Sequence, residues 1–149
     1  FSPNGKMIVT ASSDGTGRIW DTSGKFLAEM KVDKYTTLDG AIFSPDSKLI
    51  ITRSYDEARI WNTSGQLISP LKGNKDYITS INFSPDGQKI ITASRAGIIR
   101  IWDTSGNFLS ELKVHHQTVT SASYSNDGKL ILTTSEDNTA RIWDTSGQQ

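Results

Sequence analysis

The 149-residue sequence has no cysteine, no excess of either charge and no long apolar run. Without cysteine it has neither a disulfide framework nor a thiolate metal site, which fits a reducing compartment such as the cytoplasm without excluding an oxidising one. Sixteen basic residues balance sixteen acidic residues, whereas nucleic-acid-binding domains carry a basic patch or stripe. Its apolar runs are far shorter than the roughly 20 residues that cross a bilayer. We therefore expect neither nucleic acid nor a membrane as a partner.

One seven-residue segment occurs four times along the chain. RIWDTSG stands at residues 18–24, 100–106 and 141–147, and RIWNTSG at 59–65. The tryptophans are consequently 41 residues apart, at Trp20, Trp61, Trp102 and Trp143. Such a period indicates an internal repeat. We divide the chain into repeats 1–42, 43–82, 83–123 and 124–149, which together form one predicted domain, 1–149.

Each repeat has the pattern of strands joined by turns. At the start of the third repeat, the turn residues SPDG join YITSINF, which leads into it, to QKIITAS, and IIRIWD follows after a short bend. Ile99 and Ile101 alternate there with Arg100 and Trp102, which is the period of a β-strand. NFLSELK supplies a fourth strand or a short helix of the same length, because periodicity alone does not separate the two. The repeat length of about 40 to 45 residues, with a Trp-Asp pair, favours four strands per unit.

The Trp-Asp ends, the FSPDG-like turns and the Ser-x-Asp bends make the sequence resemble the WD-repeat β-propeller family over essentially its whole length. The resemblance implies an all-β fold of four-stranded antiparallel blades, here four WD-type repeats. In that family, a histidine ahead of strand one bonds a serine or threonine of strand two and the aspartate of the next bend, and the serine contacts the tryptophan. Only the last repeat, together with the connection ahead of its first strand, carries the whole array: His115, Ser135, Asp137 and Trp143.

The other repeats have incomplete arrays. Ahead of the third repeat, Gly73 and Asn74 stand where the family has Gly-His, and within it Ala96 replaces the aspartate of the bend. Members of a buried polar array that lose a partner must bond other groups. We therefore expect the third blade to be the softest of the four and the fourth to be rigid.

The repeats do not supply every strand that four blades require. Roughly 14 of 16 strands are present, because the first repeat has only Phe1 of its innermost strand and the last lacks its outermost strand. We expect an incomplete segment of a larger ring. The alternative is that copies of the chain associate through their open ends.

No sequence motif indicates catalysis or metal binding. DTSG resembles the aspartic-protease loop but has one residue too many, and it recurs as a turn in three repeats, with Asn62 in place of the aspartate in the other. His115 and His116 are neighbours, so on an extended chain they point to opposite sides and cannot readily share a metal ion. The sequence therefore predicts no enzyme, no metal site and no cofactor.

Binding is expected where the repeats differ, since the repeated positions build the scaffold. Two sets of loops are predicted to share one rim, namely the connections before strand one and the bends between strands two and three. Tyrosine and arginine are enriched at interaction hot spots. The candidate partner-binding residues on this rim are Tyr35, Arg53, Tyr55, Lys75, Tyr77, Arg95, His116 and Glu136. Arg53 has a second interpretation, a pair with a carboxylate such as Asp39.

These features favour a non-enzymatic scaffold that binds proteins or peptides through the rim. One alternative is the sensor or specificity module of a larger signalling enzyme, such as a kinase or an NTPase, which the full-length gene would reveal. The other is a propeller that binds a small ligand or sugar, against which the few dispersed aromatic residues count.

Overall fold

The structure is a computed structural model that describes residues 1–32, 36–74 and 76–148. These ranges contain fourteen β-strands and no helix, and hence none long and apolar enough to span a membrane. The strands form four antiparallel sheets, which we number sheet 1 to sheet 4 along the chain. Two compact units contain two sheets each: unit 1 is Phe1–Lys72 and unit 2 is Gly73–Gln149.

Unit 1 contains sheets 1 and 2. Sheet 1 has three strands: β1 Met7–Ala11, β2 Thr16–Asp21 and β3 Phe26–Lys31. Sheet 2 has four strands: β4 Gly40–Phe43, β5 Leu49–Arg53, β6 Ala58–Asn62 and β7 Leu67–Leu71. In both sheets the strands lie side by side in chain order, which is the meander expected of consecutive hairpins.

Unit 2 contains sheets 3 and 4, built in the same way. Sheet 3 has four strands: β8 Ile78–Phe83, β9 Lys89–Ser94, β10 Ile98–Asp103 and β11 Phe108–Lys113. Sheet 4 has three strands: β12 Val119–Tyr124, β13 Leu130–Ser135 and β14 Ala140–Asp144. NFLSELK is thus a strand rather than a helix, since β11 pairs with β10 with Leu112 opposite Ile99.

RIWDTSG is a strand end followed by a turn that its own side chains hold. Asp21 Oδ1 accepts hydrogen bonds from the backbone N–H groups of Ser23 and Lys25 and from the Ser23 hydroxyl, at 2.6–3.0 Å. The amide oxygen of Asn62 accepts the same three bonds in the second repeat, so the change from aspartate to asparagine keeps the turn. Gly24 follows at a φ of 87°, a conformation that glycine adopts without steric cost.

The sheets have two different side-chain faces, because successive residues of a strand point to opposite sides. One face, which we call the Trp face, repeats an isoleucine opposite the tryptophan and a threonine opposite the arginine. The pairs in sheet 2 are Ile50 with Trp61 and Thr52 with Arg59. The other face, the Ile face, carries an aliphatic pair such as Ile51 and Ile60.

Within each unit, the Ile face of one sheet packs on the Trp face of the next. In unit 1, Ile19 and Met30 of sheet 1 share a buried cluster with Ile50 and Trp61 of sheet 2. In unit 2, the cluster joins Ile91, Ala93, Ile99 and Ile101 of sheet 3 to Ala122, Ile131 and Trp143 of sheet 4. This sheet-on-sheet core is what holds the loops at the sheet ends in place.

Candidate functional site

A buried hydrogen-bond array lies in sheet 4. The His115 ring contacts Asp137 Oδ2 through Nδ1 and Thr133 Oγ1 through Nε2, both at 2.8 Å. Trp143 Nε1 donates to the same Thr133 hydroxyl at 2.9 Å. All the hydrogen bonds of the array are satisfied when His115 carries its proton on Nδ1. Nδ1–H then donates to Asp137, and Nε2 accepts from the Thr133 hydroxyl. His115 and Thr133 are buried, so the array ties the loop before β12 to the body of the sheet.

The threonine of this array differs from the residue that the resemblance implied. His115, Asp137 and Trp143 are brought together, but the hydroxyl between them belongs to Thr133 rather than Ser135. Ser135 Oγ instead accepts from the backbone N–H of Asp137 and donates to the carbonyl of Gln117, at 3.5 Å. Both residues are in β13 and two positions apart, so they share a face, and the geometry selects the one farther from the bend.

Thr133 has counterparts in the other three sheets. The tryptophan indole donates to Thr10 in sheet 1, Thr52 in sheet 2 and Thr92 in sheet 3, at 2.8–3.2 Å. In sheet 3, Asn74 takes the place of the histidine, and its amide oxygen accepts from the Thr92 hydroxyl and from Arg100 Nη1, both at 3.3 Å. The third array is therefore rebuilt with an arginine and an asparagine.

Asp137 is held as a carboxylate by the bend between β13 and β14. The Thr139 hydroxyl donates to Asp137 Oδ1 at 2.5 Å, and this bond, followed by that of His115, holds the pKa of Asp137 far below its ordinary value. Arg141 adds a contact, with Nη2 3.8 Å from Asp137 Oδ2, and its Nη1 donates to the carbonyl of Val114. The same residues thus fix the bend and the start of the neighbouring loop.

In unit 2, the loops at one end of sheets 3 and 4 contact each other through backbone hydrogen bonds. The Arg95 N–H donates to the Tyr77 carbonyl, and the N–H groups of Val114 and His115 both donate to the Gly97 carbonyl, at 3.0–3.1 Å. The Glu136 N–H donates to the Thr118 carbonyl at 3.0 Å. We call this set of loops the unit 2 rim: residues 76–77, 95–97, 115–118 and 135–137.

Four candidate side chains lie on the unit 2 rim. The Arg95 guanidinium stacks over the Tyr77 ring, 4.9 Å from its centroid, a distance at which the ring quadrupole attracts the cation. Arg95, His116 and Glu136 are exposed, and Tyr77 is half-buried. His116 follows the buried His115, and Glu136 precedes Asp137, so the array of sheet 4 positions two exposed side chains.

The candidate residues of unit 1 have different environments. Arg53 Nε donates to Asp39 Oδ1 at 2.7 Å, which is the carboxylate pair that the sequence offered as the second interpretation of this residue. Tyr55 is 60 % exposed in the bend after β5. Tyr35 and Lys75 lie outside the described residues. Among the residues that the structure describes, no group of three histidine, aspartate or glutamate side chains could hold a metal ion.

The family model described as WD domain, G-beta repeat, matches residues 1–21, 65–103 and 106–144. The chain belongs to the WD-repeat family. Each match ends on a Trp-Asp pair, whereas the Trp61-Asn62 pair of the second repeat lies between the first two matches. No curated protein matches the sequence. WD-repeat proteins generally serve as scaffolds for protein interactions and are typically not enzymes.

Proposed function

We propose that this WD-repeat segment is a non-enzymatic scaffold that binds proteins or peptides, and that the unit 2 rim is its main contact surface. The observation that carries the proposal is the junction of four variable loops through backbone hydrogen bonds, with Arg95 stacked on Tyr77 in two of these loops. Arginine and tyrosine dominate interface hot spots because they combine a large contact area with directional polar groups.

Rigidity of the rim supports this assignment. Binding is weakened when side chains and loops must be ordered on association, at about 0.5–1.5 kcal/mol for each immobilised side chain. The cation–π contact with Tyr77 already orients Arg95, and the buried array of His115 and Asp137 already orders the loops that carry His116 and Glu136. A partner therefore meets a surface that is largely ordered before contact.

The charges of the rim favour a polypeptide. Arg95 is an exposed cation with guanidinium N–H groups in a planar fork, which suits carboxylates and backbone carbonyls, and Glu136 offers an acceptor for a basic or amide group. A nucleic-acid surface would require a continuous basic patch, and here the chain has equal numbers of basic and acidic residues. In unit 1, exposed Tyr55 is the candidate that we carry forward, since Arg53 is engaged with Asp39.

The proposal is tested by affinity capture with the chain, followed by titration of each captured protein, once purified, in a calorimeter. A variant with Tyr77→Ala and Arg95→Ala should weaken binding at least tenfold, and adding Tyr55→Ala tests the contribution of unit 1. The matched control is Lys129→Ala, because this side chain is 81 % exposed and lies in the turn at the other end of β13. If the rim variants keep every partner at unchanged affinity, the rim is not the contact surface.

A further inference from the structure

The Ile face of sheet 4 is exposed, although the same face is buried in the other sheets. Ile142 is 57 % exposed, whereas its repeat counterparts are at most 4 % exposed: Ile19, Ile60 and Ile101. Leu132 beside it is 44 % exposed, whereas Ile51 and Ile91 are fully buried. Leu130 adds a further 44 % exposed side chain to this face. An apolar patch of this kind marks an interaction surface.

The Trp face of sheet 1 is the second surface that is more exposed than the same face of the other sheets. Thr10 is exposed, and Ile8 and Trp20 are half-buried. At the matching positions of the other sheets, the threonines are at most 2 % exposed, the isoleucines are fully buried and the tryptophans are at most 8 % exposed. The chain therefore exposes one Ile face and one Trp face.

The structure shows twice that these two faces fit each other. In unit 1 the Ile face of sheet 1 packs on the Trp face of sheet 2, and in unit 2 the Ile face of sheet 3 packs on the Trp face of sheet 4. Ile142 and Leu132 occupy the same register positions as Ile101 and Ile91, and Trp20 occupies that of Trp143. We propose that copies of this chain associate head to tail, with the Ile face of sheet 4 of one copy packed on the Trp face of sheet 1 of the next.

The charge on the Trp face of sheet 1 is compatible with burial. Arg18 lies on this face, and its Nη2 is 3.2 Å from Asp14 Oδ2 and 3.9 Å from Glu29 Oε1. Arg100, its counterpart in sheet 3, is 8 % exposed and pairs with Glu111 at 2.8 Å. A buried charge is tolerated when its partner is buried with it, and Arg18 brings its partners from its own sheet.

The interface uses two different surfaces, so it is heterologous, and such contacts build rings or open chains of copies rather than isologous pairs. This inference does not depend on the proposed function, since the unit 2 rim includes no residue of either face. The oligomeric state of the purified chain distinguishes a second copy from any other partner, because a different partner on the Ile face of sheet 4 would leave the purified chain monomeric.

The test is the mass of the purified 149-residue chain in solution, by sedimentation and light scattering over a range of concentrations. We expect assemblies of two or more copies that dissociate on dilution. Ile142→Lys and Thr10→Lys should each weaken association by about 100-fold or more, since each places a lysine where the interface offers no partner. Leu109→Lys is the matched control, because Leu109 is 48 % exposed on β11 and belongs to neither face.

A mixing experiment distinguishes head-to-tail from symmetric contact. Ile142→Lys keeps an intact Trp face and Thr10→Lys keeps an intact Ile face, so an equimolar mixture should form heterodimers while each variant alone stays monomeric. Circular dichroism verifies that each variant is folded. If the Ile142→Lys variant is unfolded, Leu132→Lys takes its place. A chain that is monomeric at every concentration overturns the proposal, and so does a Thr10→Lys variant that associates as well as the unchanged chain.

Discussion

Replacing Thr133 by valine removes one hydroxyl from the centre of the sheet 4 array and keeps the shape of the side chain. This hydroxyl bonds His115 Nε2 at 2.8 Å and accepts from Trp143 Nε1 at 2.9 Å. All three side chains are buried, so water does not replace the lost bonds. A buried polar group left without a partner costs about 1–3 kcal/mol, and two such groups lead us to expect a loss of about 2–5 kcal/mol in the free energy of unfolding.

The chain contains its own controls for this substitution. Thr10 accepts from Trp20 Nε1 in the same way at 3.2 Å, but Thr10 is exposed, so Thr10→Val should change the free energy of unfolding by about 0.5 kcal/mol or less. Ser135→Ala tests the residue that the family resemblance placed in the array, and we expect it to cost about 1 kcal/mol, since it removes a part-exposed bond to the Asp137 N–H.

The assay is urea unfolding followed by tryptophan fluorescence, with each substitution made in the Ile142→Lys background so that association does not contribute. Equal m-values would show that the compactness of the unfolded state is unchanged. The reasoning is refuted if Thr133→Val costs no more than Thr10→Val, or if Ser135→Ala costs more than Thr133→Val.

Three further predictions concern acid stability, a glycine and the rebuilt array. Hydrogen bonds from Thr16 lower the pKa of Asp14 to about 2, below its unfolded value of about 3.9. The stabilisation from this carboxylate is therefore present above about pH 4 and lost as the pH falls towards 2. Asp14→Asn should consequently make the free energy of unfolding, measured by urea unfolding, fall less steeply between about pH 4 and pH 2. Gly97→Ala should destabilise the protein by more than Gly24→Ala, which costs about 1–2 kcal/mol, because both have positive φ but only at Gly97 would a Cβ overlap the His115 carbonyl; equal thermal midpoints would contradict this. Asn74→Ala should cost about 1–3 kcal/mol by removing the acceptor of Thr92 and Arg100, and an unchanged urea midpoint would exclude that role.

Much of the fold could be predicted from the sequence because its signals are repeated. The 41-residue spacing, the alternation in IIRIWD and the glycine-containing turns place the strands, and the structure confirms an all-β chain of antiparallel sheets. The same alternation also explains why the sequence does not identify the hydroxyl of the sheet 4 array. Thr133 and Ser135 have the same alternation and similar chemistry, so only their distances from His115 and Trp143 distinguish them.

The site could be predicted only in part, because contacts between loops depend on side-chain reach. Asn74 stands where the family has a histidine, and its amide oxygen accepts from Thr92 and Arg100. The sequence signal for this role is an amide at the position of a hydrogen-bonding ring. The sequence left Arg53 open between the rim and Asp39, and the 2.7 Å contact supports the pair. The stacking of Arg95 on Tyr77 joins residues 18 positions apart and has no periodic signal.

The central claim, that the unit 2 rim is the contact surface for a polypeptide partner, is tested most directly by site-specific photocrosslinking. A photoreactive amino acid is placed at position 116 on the rim in one variant and at position 129 in the turn at the other end of β13 in another, and each is irradiated with a purified partner. The account predicts a covalent adduct from position 116 that disappears when Tyr77→Ala and Arg95→Ala are added, and little adduct from position 129. Equal adducts from the two positions, or an adduct from position 129 alone, would contradict it.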